Sequence, residues 1–280
     1  MKPLLIDSHT HLDQDCFAED LEEVIARAHE AGVTRLLTIG AGGGPDEHYP
    51  NGLASAYRAI ELIERFPKIH AAVGVHPHDA GGAAADPAYL NSLLELARHP
   101  KVVAIGEIGL DFFRDWSPFE SQRVVFREQI ALALEVKKPI IIHSRNTAGL
   151  NDAGTECLAT LRELGAERVG GVFHCFSESS DFAKLLADMN FRVSFPGSLT
   201  FGKAEQLRAV AKEIPLEQIL IETDAPYMAP EPHRGKRCES MYVTEVALVL
   251  SEIKGISYEE CCRAVTSNTL ALFPLMQTNH

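Results

Sequence analysis

The sequence predicts an α/β fold, a single (β/α)8 TIM barrel spanning residues 1–280, with its reactive residues at the C-terminal face of the strands. Three observations predict it. Short apolar, β-branched runs alternate with longer helical patterns along the whole chain. The runs are near-continuous rather than alternating, as strands covered on both faces of a parallel sheet must be. Polar residues close six of the runs, and in a parallel barrel all such ends meet on one face.

Taken in order, the strand-like runs are residues 4–7, 35–39, 71–75, 102–106, 139–142, 169–173, 191–195 and 218–222. Between the first two, Phe17, Leu21, Val24, Ile25 and Ala28 recur at helical spacing, and Gly32 supplies a stop. A second helical pattern, 53–66, ends before Pro67, and a third, 89–98, ends before Pro100. Further patterns cover 119–136, 154–164, 181–189 and 205–214, and two more, 241–253 and 258–273, close the chain. The glycine-rich segments 40–52 and 81–86 read as loops after the second and third strands. No linker or second domain interrupts the repeat.

Composition narrows the class. Hydrophobic residues at 46% and charged residues at 23% are ordinary for a globular protein. No signal peptide or spanning apolar run is visible, so a cytoplasmic protein without membrane attachment or an implied stable protein partner is expected. Six cysteines without a CxxC pair argue against a zinc ribbon and for reduced thiols. A net charge of −13 argues against a protein that coats nucleic acid with a broad basic face, but not against one that takes a single phosphodiester into a pocket.

The chemistry collects at the strand ends. The first run leads into Asp7-Ser8-His9-Thr10-His11, and the third into His76-Pro77-His78. The fourth leads into Glu107 and Asp111, the fifth into His143-Ser144-Arg145, the sixth into His174-Cys175 and the eighth into Glu222-Thr223-Asp224. Residues two apart on an extended segment face the same side, so His9 and His11 can share one ion. Burying so many unpaired imidazoles and carboxylates is costly, and a metal cluster relieves that cost. Glu107 reads either as an ion-pair partner, for instance of Arg145, or as a carboxylate bridging two cations about 3.5–4 Å apart. Mixed histidine and carboxylate ligands suit zinc, manganese or iron, and all-oxygen sites magnesium. The remaining histidines, His29, His48, His70, His99 and His280, read as surface or capping residues. Cys175 reads as a buried small hydrophobe facing away from His174. Phe112, Phe113 and Trp116 read as core or wall, with a base-stacking platform as the alternative.

These motifs together resemble the TatD family of metal-dependent deoxyribonucleases, in order, from about Leu4 to Phe273. The His233-Arg234-Gly235-Lys236-Arg237 segment fits the same pattern. The resemblance implies two divalent metal ions (zinc, manganese or magnesium). His9, His11 and Asp224 would hold one, His143 and His174 the other, and Glu107 would bridge them. It implies Asp224 as general base on the attacking water, with Glu107 as its catalytic partner. His76, His78, Arg145, Arg234 and Arg237 would hold substrate, and the expected reaction is phosphodiester hydrolysis at single-stranded DNA ends. The chain departs from the family pattern at Asn146, where an acidic residue is usual, and at Cys238-Glu239-Ser240. The rival reading is an amidohydrolase or esterase acting on a small substrate at the same binuclear site; Glu107, standing where some such barrels carry a modified lysine, favours the former.

Overall fold

The computed structural model describes residues 4–42 and 51–277. Eight parallel strands form one sheet in sequence order: β1 (Leu5–Thr10), β2 (Val33–Gly40), β3 (Ile69–Val73), β4 (Val102–Asp111), β5 (Ile140–Arg145), β6 (Gly171–Phe173), β7 (Phe191–Phe195) and β8 (Ile219–Ile221). The sheet closes on itself where β1 meets the segment after β8. There His11 N donates to the Ala225 carbonyl (2.7 Å) and Asp224 N to that of His9 (2.9 Å). This is the expected (β/α)8 barrel, and closure leaves no sheet edge to cover.

The connecting helices are α1 (Leu21–Ala31), α2 (Ala54–Arg65), α3 (Ala80–Ala85), α4 (Tyr89–Ala97), α5 (Phe119–Val136), α6 (Ala153–Leu164), α7 (Ser180–Ala187), α8 (Glu205–Glu213), α9 (Val243–Lys254) and α10 (Tyr258–Leu272). Their ends follow capping chemistry. Gly32 stops α1 with a left-handed φ of 97°, and Ser257 and Glu260 form a reciprocal capping box on α10. One expectation fails here. Residues 81–86 were read as a loop, but most of that stretch lies in the short helix α3. Its alanines favour helix, and Gly81 lies close beside Ser117, whose Oγ accepts from Gly81 N at 2.7 Å. The other glycine-rich segment falls partly on residues 43–50, outside the described residues, as do His48 and His280.

Two apolar layers result. A larger one packs the outward strand residues, such as Leu5, Leu36, Ile105, Ile108 and Ile142, against the helices. A smaller one fills the barrel interior with Ile6, Leu37, Ile39, Ala72, Ile141, Val172 and Leu220, and Phe273 and Met276 pack against it. Strand alternation places residues in one layer or the other, and register irregularities reset it beside Glu107 and His9. Ile105 and Ile108 both face outward though three apart, with a register irregularity and a cis Gly106–Glu107 peptide between them. Glu107, next to outward Ile108, therefore turns to the interior. A matching irregularity lies between Asp7 and Thr10 on β1, around His9. Among the described residues no helix is long and apolar enough to cross a membrane.

The β4–β5 contact behind the reset depends on Gly109. Its φ is 147°, and an added Cβ would lie 2.0 Å from the His143 carbonyl oxygen. Gly149 also has a positive φ, 81°, but an added Cβ there meets nothing. Gly109→Ala is expected to lose about 2–4 kcal/mol of unfolding free energy through overpacking and strain. Gly149→Ala is expected to lose only about 1 kcal/mol. Urea unfolding of the two variants measures the difference; equal losses would show that close strand contact is not what fixes the β4 end.

Candidate metal centre

Four of the strand-end motifs deliver their side chains to one carboxylate, which a fifth supplies. Glu107 is 2% exposed, and its two oxygens face different partners. Oε2 lies 3.3 Å from His9 Nε2 and 3.9 Å from His11 Nε2. Oε1 lies 2.6 Å from His143 Nδ1, 2.7 Å from His174 Nε2 and 3.5 Å from His76 Nε2. Asp224 joins the first group, with Oδ1 at 3.6 Å from His9 Nε2 and 3.4 Å from His11 Nε2. The two imidazole nitrogens of that group face each other at 3.3 Å.

The barrel seam builds the first group. Asp7, fully buried, accepts from both the amide (2.9 Å) and the hydroxyl (2.6 Å) of Thr223. That contact ties β1 to the segment carrying Asp224. The second group is built by β4, β5 and the end of β6. Asp111 holds it from outside: its Oδ2 is 3.2 Å from His143 Nε2 and 2.7 Å from His78 Nε2. Glu222 supports the join, accepting from Cys175 N at 2.7 Å and standing 3.5 Å from His174 Nδ1. Asp224 and Cys175 both take left-handed φ values, 55° and 46°, uncommon for residues with a side chain and recurrent at functional sites.

The electrostatics follow from this crowding. Burial pushes the Glu107 carboxyl up, but His174, His143 and His76 outweigh it and hold the group ionised, well below its ordinary value. For Asp224 burial is likewise outweighed, by His11, His9 and His174. His174 is pulled down by burial but raised overall by Glu107 and Cys175. Burial and the neighbouring His143 push His76 down to about 3, leaving a neutral imidazole.

The residues fit divalent cations. The Nε2 and carboxylate oxygens around His9 are 3.3–3.9 Å apart. That is the ligand-to-ligand spacing expected about an ion held at about 2.0–2.2 Å by nitrogen and oxygen. Triads whose ligand-type atoms all lie within 4.8 Å of one another include His9–His174–Asp224, His9–His11–Glu107 and His76–Glu107–His143. The second-oxygen arrangement of Glu107 suits a carboxylate shared between two such sets.

The structure thus brings His9, His11, Glu107, His143, His174 and Asp224 together. It places His76 nearer than a substrate-holding role requires, at the corner of the second set, and His78 one step out, on Asp111. Arg145 does not pair with Glu107; it is exposed and stacks over Phe113 at 4.2 Å. Arg234 is exposed, over Phe201 at 4.3 Å. Arg237 is committed to Asp20 (2.8 and 2.6 Å) and Glu239 (3.0 Å), which makes it part of the wall. Three other readings change. His70 is buried on β3 rather than at the surface. Phe113 and Trp116 are exposed, 48% and 63%, rather than core. Cys175 lies beyond the end of β6, so strand alternation does not govern it, and its Sγ stands 3.7 Å from Asp224 Oδ2. Sequence reasoning missed Asp7, Asp111 and Glu222 as supports, although each sits inside a strand-end motif; only its proximity to a ligand in sequence could have marked it.

Comparisons with known proteins agree with this geometry. The family model described as TatD related DNase matches residues 6–274. An uncharacterized metal-dependent hydrolase of Bacillus subtilis, YabD, is 43% identical over 270 residues, covering 96% of this chain and 99% of its own. A Klebsiella pneumoniae protein named 3'-5' ssDNA/RNA exonuclease TatD is 31% identical, covering 96% of this chain and 97% of its own. The solved structure of YJJV, a TatD homolog from Escherichia coli, superposes with a TM-score of 0.84 at 31% identity, covering 98% of this chain and 99% of its own.

Two substitutions test the centre. Glu107→Ala is expected to lose bound metal from both halves, because each half loses an oxygen; elemental analysis of purified protein checks this, and wild-type content would refute a shared carboxylate. Asp111→Asn leaves the inner donors in place but weakens the hold on His143 and His78. Metal affinity is expected to fall about 10–100-fold in chelator competition. An unchanged affinity would reduce Asp111 to a loop-building role.

Proposed function

We propose that this chain, which belongs to the TatD family of metal-dependent hydrolases, cleaves phosphodiester bonds at single-stranded DNA ends. The observation that carries the reading is the division of Glu107 between two ligand sets, with Asp224 closing one of them and Arg145 and Arg234 exposed on strand-end loops. His9, His11 and Asp224 would hold one cation, His143 and His174 the other, and Glu107 would contribute to both sets. The Klebsiella relative's name adds a nucleic-acid substrate of the same kind. Six free cysteines suit a reducing, cytoplasmic setting.

Divalent cations at this cluster supply Lewis acidity, lowering the pKa of water toward about 7 and neutralising charge that builds on the phosphate. The histidine-rich donor set favours zinc or manganese over magnesium. Asp224 is the general base. Its ionised carboxylate, poised by His11 and His9, takes a proton from the attacking water. The water oxygen bonds to phosphorus, a phosphorus–oxygen ester bond breaks, and the departing oxygen leaves as an alcohol after taking a proton from solvent. His78, fixed by Asp111, and Arg145 orient the phosphate.

Chelator-treated protein is expected to be inactive on a labelled single-stranded oligonucleotide and to recover with added zinc, manganese or magnesium. Asp224→Asn is expected to lower kcat about 10²–10⁴-fold on that substrate. A metal-loaded enzyme that leaves the oligonucleotide intact while hydrolysing a small amide or ester would replace this reading with the amidohydrolase one. An Asp224→Asn variant that is metal-loaded and fully active would remove the base.

A further inference from the structure

The loop between β4 and α5 carries Phe113, Arg114 and Trp116, which the hydrolytic chemistry does not use. Phe113 and Trp116 are exposed, yet each ring lies against a guanidinium. Arg114 lies 5.5 Å from the Phe113 ring and 5.2 Å from the Trp116 ring, and Arg145 lies 4.2 Å from Phe113. The loop is tied to the centre at both ends. Asp111 Oδ1 accepts from Phe113 N and Arg114 N, both at 2.9 Å, while its Oδ2 holds His78 and His143. Ser117 Oγ donates to the His78 carbonyl at 2.9 Å. The Trp116 ring stands edge-to-face with His78, centroids 4.5 Å apart. A chain of direct contacts therefore runs from the exposed rings through His78 and Asp111 to His143 and Glu107.

We infer that Phe113 and Trp116, flanked by Arg114 and Arg145, form a stacking subsite for the nucleobase next to the scissile phosphate. This deepens the phosphodiesterase reading and rests on it. The two exposed aromatic rings stand beside the centre: the Trp116 ring touches His78, which shares Asp111 with His143. Aromatic faces bind any base, and guanidinium planes both stack on bases and meet the phosphates beside them. In a chain of net charge −13, two arginines gathered on these rings are a local exception aimed at an anionic, π-bearing ligand. A single strand exposes its base faces; a duplex hides them. The subsite therefore selects for unpaired ends.

Trp116 is the one tryptophan in the chain, so its fluorescence reports the subsite directly. The probe is a phosphorothioate oligothymidylate, titrated into metal-loaded wild-type protein against an equally long strand of abasic residues. Saturable quenching by the first and little by the second is expected. In cleavage assays, wild type is expected to prefer base-bearing over abasic ends roughly 5- to 100-fold in kcat/KM. Phe113→Ala/Trp116→Ala is expected to erase that preference, mostly through KM, with metal content unchanged; Trp116→Phe should keep most of it. Absence of quenching, or a double variant that still prefers base-bearing ends, overturns the subsite. Equal cleavage of both ends by wild type overturns the subsite and leaves the phosphodiesterase reading standing. A metal-loaded wild type that cleaves neither overturns both.

Discussion

The burial of one carboxylate organises this protein. Glu107 is almost wholly removed from water, and an unpaired ion in that position would cost several kcal/mol even after relaxation. It is tolerated because imidazoles from four different strand ends close on its two oxygens. The same carboxylate then imposes demands outward. His143 must be held from behind by Asp111, His174 by Glu222, and the His9–His11 pair by Asp224. Each support is itself a buried acid, so the centre is a nested set of charges that no single strand could stabilise alone.

Such a centre also fixes where the barrel may close. The seam between β1 and the segment after β8 is joined by backbone bonds at His9, His11, Asp224 and Ala225, and by Asp7 on Thr223. Three of those residues, His9, His11 and Asp224, are also the first donor group. Geometry at the seam and geometry at the site are therefore one constraint: a shift in strand pairing there would separate His9 from Asp224. On β4 the analogous constraint is the reset of alternation between Ile105 and Ile108, which turns Glu107 inward without turning its apolar neighbours out of the outer layer.

Much of this was legible in the sequence because it rests on composition within short windows. Eight continuous apolar runs marked the eight strands, and ligand-type residues after them marked the face. What was hidden depends on backbone detail that residue type does not encode. Alternation assigned Cys175 to the wrong side because the strand had already ended, and nothing in the local sequence announced its left-handed φ. The alanine-rich stretch after Pro77 folds as helix, and its Gly81 N finds its acceptor in Ser117 Oγ, distant in sequence. Arg237 looked free because its partner Asp20 becomes a neighbour only when the segment leading into α1 packs beside the end of the barrel. Asp111 was visible as part of a motif, but its role as the common anchor of His78, His143 and the following loop is a three-dimensional fact.

The distribution of charge connects these points to substrate choice. The chain carries a large negative excess, and a polyanion would be repelled by most of its surface. Two arginines are neutralised internally: Arg237 and Arg27 share Asp20 and Glu239, which keeps Asp20 ionised down to about 2. Arg114 and Arg145, which have no close carboxylate partner among the described residues, lie instead over aromatic rings on one side of the centre. Attraction is therefore short in range and confined to the mouth of the barrel. A long duplex gains little from such a surface, because only one or two of its phosphates reach the positive region. A flexible end gains more, since it can bring one phosphate to the centre and turn its base toward the rings while the rest of the strand stays in solvent. In the proposed reaction, the acidic exterior and the cationic, aromatic mouth thus act together, the first rejecting extended nucleic acid and the second accepting its unpaired terminus.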